Sequence, residues 1–145
     1  MTTTDNPLHA ETFAILTGSA LASGLNPTLE AWAVRDAAHV HGPTKVGCAV
    51  VAESGTIYSG CNVEHRYRSH DVHAEVNALT TMAAADDGPA LLVVIAAERA
   101  KFTPCGACLD WIFELGRPDT LVVFSPPEGD AQLHLARDLM PHYPC

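Results

Sequence analysis

Apolar positions change period several times along the chain, and each change predicts an element. Glu11 to Ser23 places Phe13, Leu16 and Ala20 on one stripe, which predicts a helix ended by Gly24. Asn26-Pro27 is a capping residue followed by proline at the first helical position. It predicts a second helix running to about Ala38, stopped by His41-Gly42-Pro43. Val46 to Ala52 is a short unbroken apolar run, which predicts a strand covered on both faces. Glu53-Ser54-Gly55 reads as a hairpin turn into a partner strand, Thr56 to Cys61. Asn62 to His70 is polar and irregular, so a loop is expected.

Asp71 is the expected cap of a helix over Val72 to Ala85, with Val72, Val76, Leu79 and Met82 as its buried stripe. Asp87-Gly88-Pro89 breaks it, and Leu91 to Ala97 predicts a third strand. A helix is predicted from Cys105 to Leu115, ending at Gly116, with Cys108, Ile112 and Leu115 on its inner face. Leu121 to Phe124 predicts a fourth strand, Pro126 to Asp130 a turn, and Leu133 to Met140 a final helix or helix-like tail. Helices and strands alternate, so one α/β domain is expected over residues 1–145, a sheet with helices on both faces. Residues 1–8 are polar and expected to fray, and residues 11–23 form an extra N-terminal helix.

Composition narrows the classes. No apolar run approaches the ~20 residues of a membrane span. Ala20-Leu21-Ala22 imitates a cleavage site, but Asp5 and Glu11 precede it without a Lys or Arg, so a helix of the domain is expected rather than a signal peptide. The net charge of −9 disfavours a polynucleotide substrate. Cys48, Cys61, Cys105, Cys108 and Cys145 are odd in number and do not form a disulfide ladder. A reducing cytoplasm is expected, with two thiols on a metal, the others free, and Cys145 exposed.

The candidate chemistry lies in Val72-His73-Ala74-Glu75 and Thr103-Pro104-Cys105-Gly106-Ala107-Cys108. One His and two Cys suit zinc with a fourth position left open. Cys105 and Cys108 are three apart at a helix start, where both sulfurs reach one ion and free N–H groups favour thiolate. Glu75 is spare, and a carboxylate beside a metal-activated water moves protons. Mid-helix, His73 and Glu75 would lie on roughly opposite sides; at the first turn, where His73 falls, the geometry is looser, and His73 is expected to bind zinc while Glu75 leans over the fourth site. Two duller readings compete: a redox pair, or half of a structural zinc knot with Cys61 as the best fourth ligand. The open catalytic site is the expected one.

With Gly60-Cys61-Asn62-Val63-Glu64, Val46-Gly47-Cys48-Ala49-Val50 and Leu139-Met140-Pro141-His142-Tyr143, these motifs resemble the small, single-domain zinc-dependent cytidine deaminases over roughly residues 28–143. The resemblance implies a three-layer α/β/α fold around a mixed five-stranded sheet, one zinc per chain, and assembly as a homo-tetramer or homodimer. It implies that an activated water adds to C4 of a pyrimidine while Glu75 relays the proton. Asn62 and Glu64 would hold ribose hydroxyls, the backbone of Ala74 would orient the base, and Tyr143 would reach a neighbouring subunit.

The sequence also departs from that family. His73 stands where many small members have Cys, and Val76 where they have a charge-compensating Arg. The two changes agree, because zinc with one His and two thiolates is neutral. Thr44-Lys45 replaces an aromatic and Pro, Leu109-Asp110 replaces Arg-Gln, and His65 replaces Asn. Blasticidin S deaminases, relatives with the same metal chemistry, carry His there but lack the Glu. The stretch His65-Arg66-Tyr67-Arg68-Ser69-His70 is basic and reads either as a clamp for an anionic substrate group or as a solvated loop or subunit contact. Trp32 and Trp111 read as core or interface.

The expected function is deamination of cytidine or deoxycytidine, nucleoside-like small molecules. The alternatives are a deaminase of another aminated heterocycle, favoured by Thr44, Leu109 and Asp110, and a zinc-binding module without catalysis, which an intact Glu75 opposes.

Overall fold

The computed structural model describes residues 10–14 and 26–144. Residues 10–14 are helical. The rest of the helix expected over Glu11 to Ser23, the polar start and Cys145 lie outside the described residues. Helix α1, Pro27–Arg35, opens as the sequence predicts: the Asn26 side chain accepts from the backbone N–H of Thr28 and Leu29. It ends three residues before Ala38, because the N–H groups of Asp36, Ala37 and Ala38 turn back to carbonyls three residues earlier.

Strands β1 (Val46–Ala52), β2 (Ile57–Cys61) and β3 (Ala90–Ala97), followed by β4 (Leu121–Ser125) and β5 (Gln132–Leu135), form one mixed sheet in the order β2-β1-β3-β4-β5. β1 is antiparallel to both β2 and β3, β3 is parallel to β4, and β4 is antiparallel to β5. Every residue of β1 is buried, as its continuous apolar run requires. Alternation along the strands divides the core in two. Ala49, Val51, Leu92 and Val94 face α1 through Ala31, with Trp32 and Phe13 against them. Cys48, Val50, Val93 and Ile95 face α2 (Ala74–Ala84) and α3 (Gly106–Leu115) through Leu79, Met82 and Ile112. The result is the three-layer α/β/α arrangement.

Three expectations are corrected. Asp71 does not cap α2; His73 does, and Val72 pairs instead with Val63 in an antiparallel bridge. Val72 is therefore exposed and Val76 only half-buried, so the stripe under α2 is Ala74, Ala78, Leu79 and Met82. Leu133 to Met140 is not one helix. Gln132-Leu133-His134-Leu135 alternates with period two and pairs along β4, and only Ala136–Leu139 turns helical, as α4. No helix among the described residues is long and apolar enough to cross a membrane.

Close packing of α1 on β1 needs a residue without a side chain. A Cβ on Gly47 would stand 1.9 Å from the Ala31 carbonyl oxygen and 2.9 Å from Arg35 Cβ. Neither backbone can yield without separating helix and sheet. Gly47→Ala is expected to cost at least about 1–3 kcal/mol, read as a lower thermal midpoint than that of an alanine placed at Gly106, where a Cβ would meet only Met140 Cε at 4.0 Å.

Candidate metal centre and active site

The site lies beyond the C-terminal end of β3, the usual place for a site in an open sheet with a parallel pair. Here the chain leaves β3, crosses a loop and enters α3; β1 starts and β2 ends on the same side. Two helices begin at this point. His73 is the N-cap of α2 and Cys105 the N-cap of α3, both with extended backbone (φ −76° and −68°). The clash foreseen for two residues two apart on a helix does not arise. His73 stands just outside the helix, so its ring is free of the helical period that governs Glu75. Leu109 N–H donates to the Cys105 carbonyl, which starts α3 and brings Cys108 back under Cys105.

His73 Nδ1 lies 3.2 Å from Cys108 Sγ and 3.4 Å from Cys105 Sγ. The three ligand atoms all lie within 4.8 Å of one another. Two ligands on a tetrahedral zinc, at about 2.0 and 2.3 Å, stand roughly 3.5 Å apart. One ring nitrogen facing two sulfurs is better served by a shared cation than by a single proton. The electrostatics agree. Burial, then the charges of Glu75 and Cys105, push the Cys108 thiol far up, so an unaccompanied thiolate is disfavoured there. A divalent cation reverses that balance. Cys61, the candidate fourth ligand, is not among the converging atoms, so among the described residues the set stops at three.

Glu75 is 3% exposed. Burial raises its carboxyl, while its own backbone N–H, Cys108 and His73 pull it down. Beneath it Cys48 is a thiol held protonated by burial and by the Glu75 charge.

A cavity of about 380 Å³ opens over this centre, with His73, Ala74, Glu75 and Cys105 at its base. Its polar wall comes from residues 62–71. Asn62 is braced at the wall: Oδ1 accepts from Val46 N–H at 2.8 Å and Nδ2 donates to the Thr44 carbonyl at 2.9 Å, which leaves one lone pair and one N–H of the amide. Glu64 Oε1 accepts from His41 and Gly42 N–H at 2.7 and 3.0 Å, and Oε2 accepts from Arg68 Nη2 at 2.9 Å. Arg68 Nε also donates to Asp71 Oδ2 at 2.8 Å, and Asp71 Oδ1 accepts from His65 N–H. The opposite wall holds Phe102, stacked on Phe124, with the Arg99 guanidinium over its ring.

Residues 27–125 match the model of the cytidine and deoxycytidylate deaminase zinc-binding region. The chain belongs to that family. It is 35% identical over 99 residues to a cytidine deaminase of Sporosarcina psychrophila, a match that covers 66% of this chain and 71% of that one. It is 34% identical over 92 residues to cytidine deaminase 2 of Arabidopsis thaliana, covering 60% of this chain but 27% of that longer protein. Its structure resembles the crystal structure of cytidine deaminase from Burkholderia pseudomallei, with a TM-score of 0.76 at 33% identity over 80% of this chain and 94% of that one. The family's cofactor is zinc, and His73, Cys105 and Cys108 are the residues that could hold it here.

For a deaminase-family chain, several departures fall away from the cavity. Leu109 is buried in the core, and Asp110 is an exposed acceptor for the Tyr143 hydroxyl, so neither supports an unusual substrate. Tyr143 also stacks on Phe113 at 4.2 Å and so lies on its own chain's α3. The anion clamp is not assembled: Arg68 is committed to two carboxylates, and Arg66 is exposed and does not line the cavity. Phe102 and Arg99 escaped the sequence reading. Position three before the first Cys of P-C-x-x-C was the signal available for Phe102; nothing marked Arg99.

Two measurements check this geometry. Metal analysis is expected to give one zinc per chain, lost in Cys108→Ser and in His73→Ala. The Glu64 carboxyl is held below its usual range by the Gly42 and His41 N–H groups, against burial. A lowered folded pKa stabilises above the unfolded value of ~4.3 and ceases to as pH falls through the folded one. Wild-type stability should therefore fall more steeply below about pH 4 than that of Glu64→Gln.

Proposed function

We propose that the chain is a zinc-dependent hydrolytic deaminase converting cytidine or deoxycytidine to uridine or deoxyuridine, consuming one water and releasing one ammonia. The supporting observation is a buried carboxyl, Glu75, beside three convergent zinc-ligand atoms at the base of a cavity. When bound, zinc supplies a Lewis acid that brings the pKa of a water towards ~7. Glu75 takes one proton of that water on a carboxylate oxygen and passes it to ring N3; it then takes the second from the hydroxyl added at C4 and delivers it to the departing amine, leaving a C4 carbonyl. Burial suits it to the task, because a proton relay works best when its affinity is near the ambient pH.

Ala74 stands at the first turn of α2, where backbone N–H groups have no partner within the helix, and orients the base. Phe102 packs on the ring face. Glu64 offers its remaining lone pair and Asn62 its remaining N–H to sugar hydroxyls, while the other amide contacts of Asn62 hold the wall against β1. The net charge of −9 supports a small substrate over a polynucleotide. The four cysteines free among the described residues support a reducing, cytoplasmic setting. The exposed side chains of Tyr67, Val72 and Trp111 support assembly as a dimer or tetramer. One observation favours the second reading, a deaminase of another aminated heterocycle: Thr44, one of the departures from the family pattern, lines the cavity.

Ammonia release from a panel of aminopyrimidines and aminopurines tests both readings. Glu75→Gln is expected to fold, to keep its zinc, and to lose about 10²–10⁴ in kcat. A variant turning over at the wild-type rate removes Glu75 from the mechanism.

A further inference from the structure

The polar wall contains a cation for which base chemistry has no use. Arg68 lines the cavity, yet its side chain is 60% exposed at the rim. Two carboxylates fix its fork: Nη2 on Glu64 Oε2 at 2.9 Å and Nε on Asp71 Oδ2 at 2.8 Å. Asp71 is itself oriented by His65 N–H at 2.7 Å. Valence then decides what remains. Glu64 Oε1 already accepts two backbone N–H groups and is full; Oε2 accepts one bond and keeps one lone pair. A guanidinium has five N–H groups, of which two are engaged here, so three remain.

One acceptor site and unspent donors thus sit side by side on the cavity wall. A hydroxyl satisfies both, since its O–H donates while its oxygen accepts. An ether or carbonyl only accepts, and would leave Glu64 Oε2 unmet. An ammonium only donates, and would face Arg68. A phosphate accepts, but it meets a trio of Glu64, Arg68 and Asp71 with one excess negative charge. Of the two sequence readings of this stretch, the anion clamp is thereby disfavoured: the same arginine, held by two acids, selects an uncharged alcohol.

We propose that Arg68 is a specificity-determining residue which, together with Glu64, reads a hydroxyl group on the substrate's non-aromatic end. The inference rests on the deaminase reading above. It gives this chain a contact made by the donor of an ion pair as well as by its acceptor. The guanidinium is bidentate and planar, so lysine at this position can keep the charge but not both carboxylates.

Steady-state ammonia release by wild type, Arg68→Ala and Arg68→Lys, on cytidine and on 1-methylcytosine, tests it. The second compound keeps the ring and lacks any hydroxyl. Wild type is expected to favour cytidine. In Arg68→Ala, KM for cytidine should rise about tenfold or more with kcat nearly unchanged, while kcat/KM for 1-methylcytosine stays the same. Arg68→Lys should fall between, and zinc content should be unaltered. Equal losses on both substrates would make Arg68 a structural prop and overturn the proposal, as would an Arg68→Ala enzyme with unaltered KM for cytidine. Should Arg68→Ala lose its zinc, the same comparison in Arg68→Lys decides. A wild type that deaminates neither compound nor any other on the panel defeats the underlying deaminase reading. A wild type that deaminates both equally well overturns only the hydroxyl contact.

Discussion

Two helices start at the same place, and the rest of the site follows from that coincidence. α2 is capped by His73 and α3 by Cys105, and each cap is extended backbone. Cap residues are released from the 3.6-residue period, so their side chains can turn towards each other. The same two ends carry the partial positive charge that favours thiolate and accommodates a nearby carboxylate. What brings α3 to this point is the one parallel pair, β3 with β4, in a sheet otherwise antiparallel. Parallel neighbours require a crossover, and a crossover helix has to begin where the first strand ends.

The polar wall obeys a different constraint. Glu64 is nearly buried, and a buried carboxylate is tolerable only when its oxygens are matched by donors. Here the donors are the His41 and Gly42 backbone and Arg68, drawn from the stretch before β1 and the loop after β2. Asn62 performs the matching service for the first residue of β1. The wall is thus held in shape by the groups that would also meet a ligand. Recognition and local folding share the same atoms.

Much of this was legible in the sequence. The apolar run at Val46–Ala52, the hairpin at Gly55 and the Asn26-Pro27 helix start all declare themselves through local preferences, and all are found. The three residues that could hold zinc were legible because zinc chemistry restricts both residue type and spacing. Misreadings arose where a tertiary partner outbid a local preference. Asp71 has the composition of a helix cap, but Arg68 and the His65 N–H claim it. Leu133 and Leu135 fit a helix face as well as a strand face until β4 supplies a ladder. Phe102 and Arg99 were missed because a loop of no particular period carries them, and the cavity is what gives them meaning.

The bridge between Val63 and Val72 has a wider consequence. Two backbone hydrogen bonds, 2.8 and 2.9 Å long, close the neck of the segment between them, one residue ahead of the first ligand. Such a neck works like a clasp on a handle. The handle can be rebuilt residue by residue, altering what enters the cavity, while the clasp isolates His73 from the change. The entry to α2 at His73 is thereby anchored by main-chain atoms, whatever side chains the loop between the two valines carries.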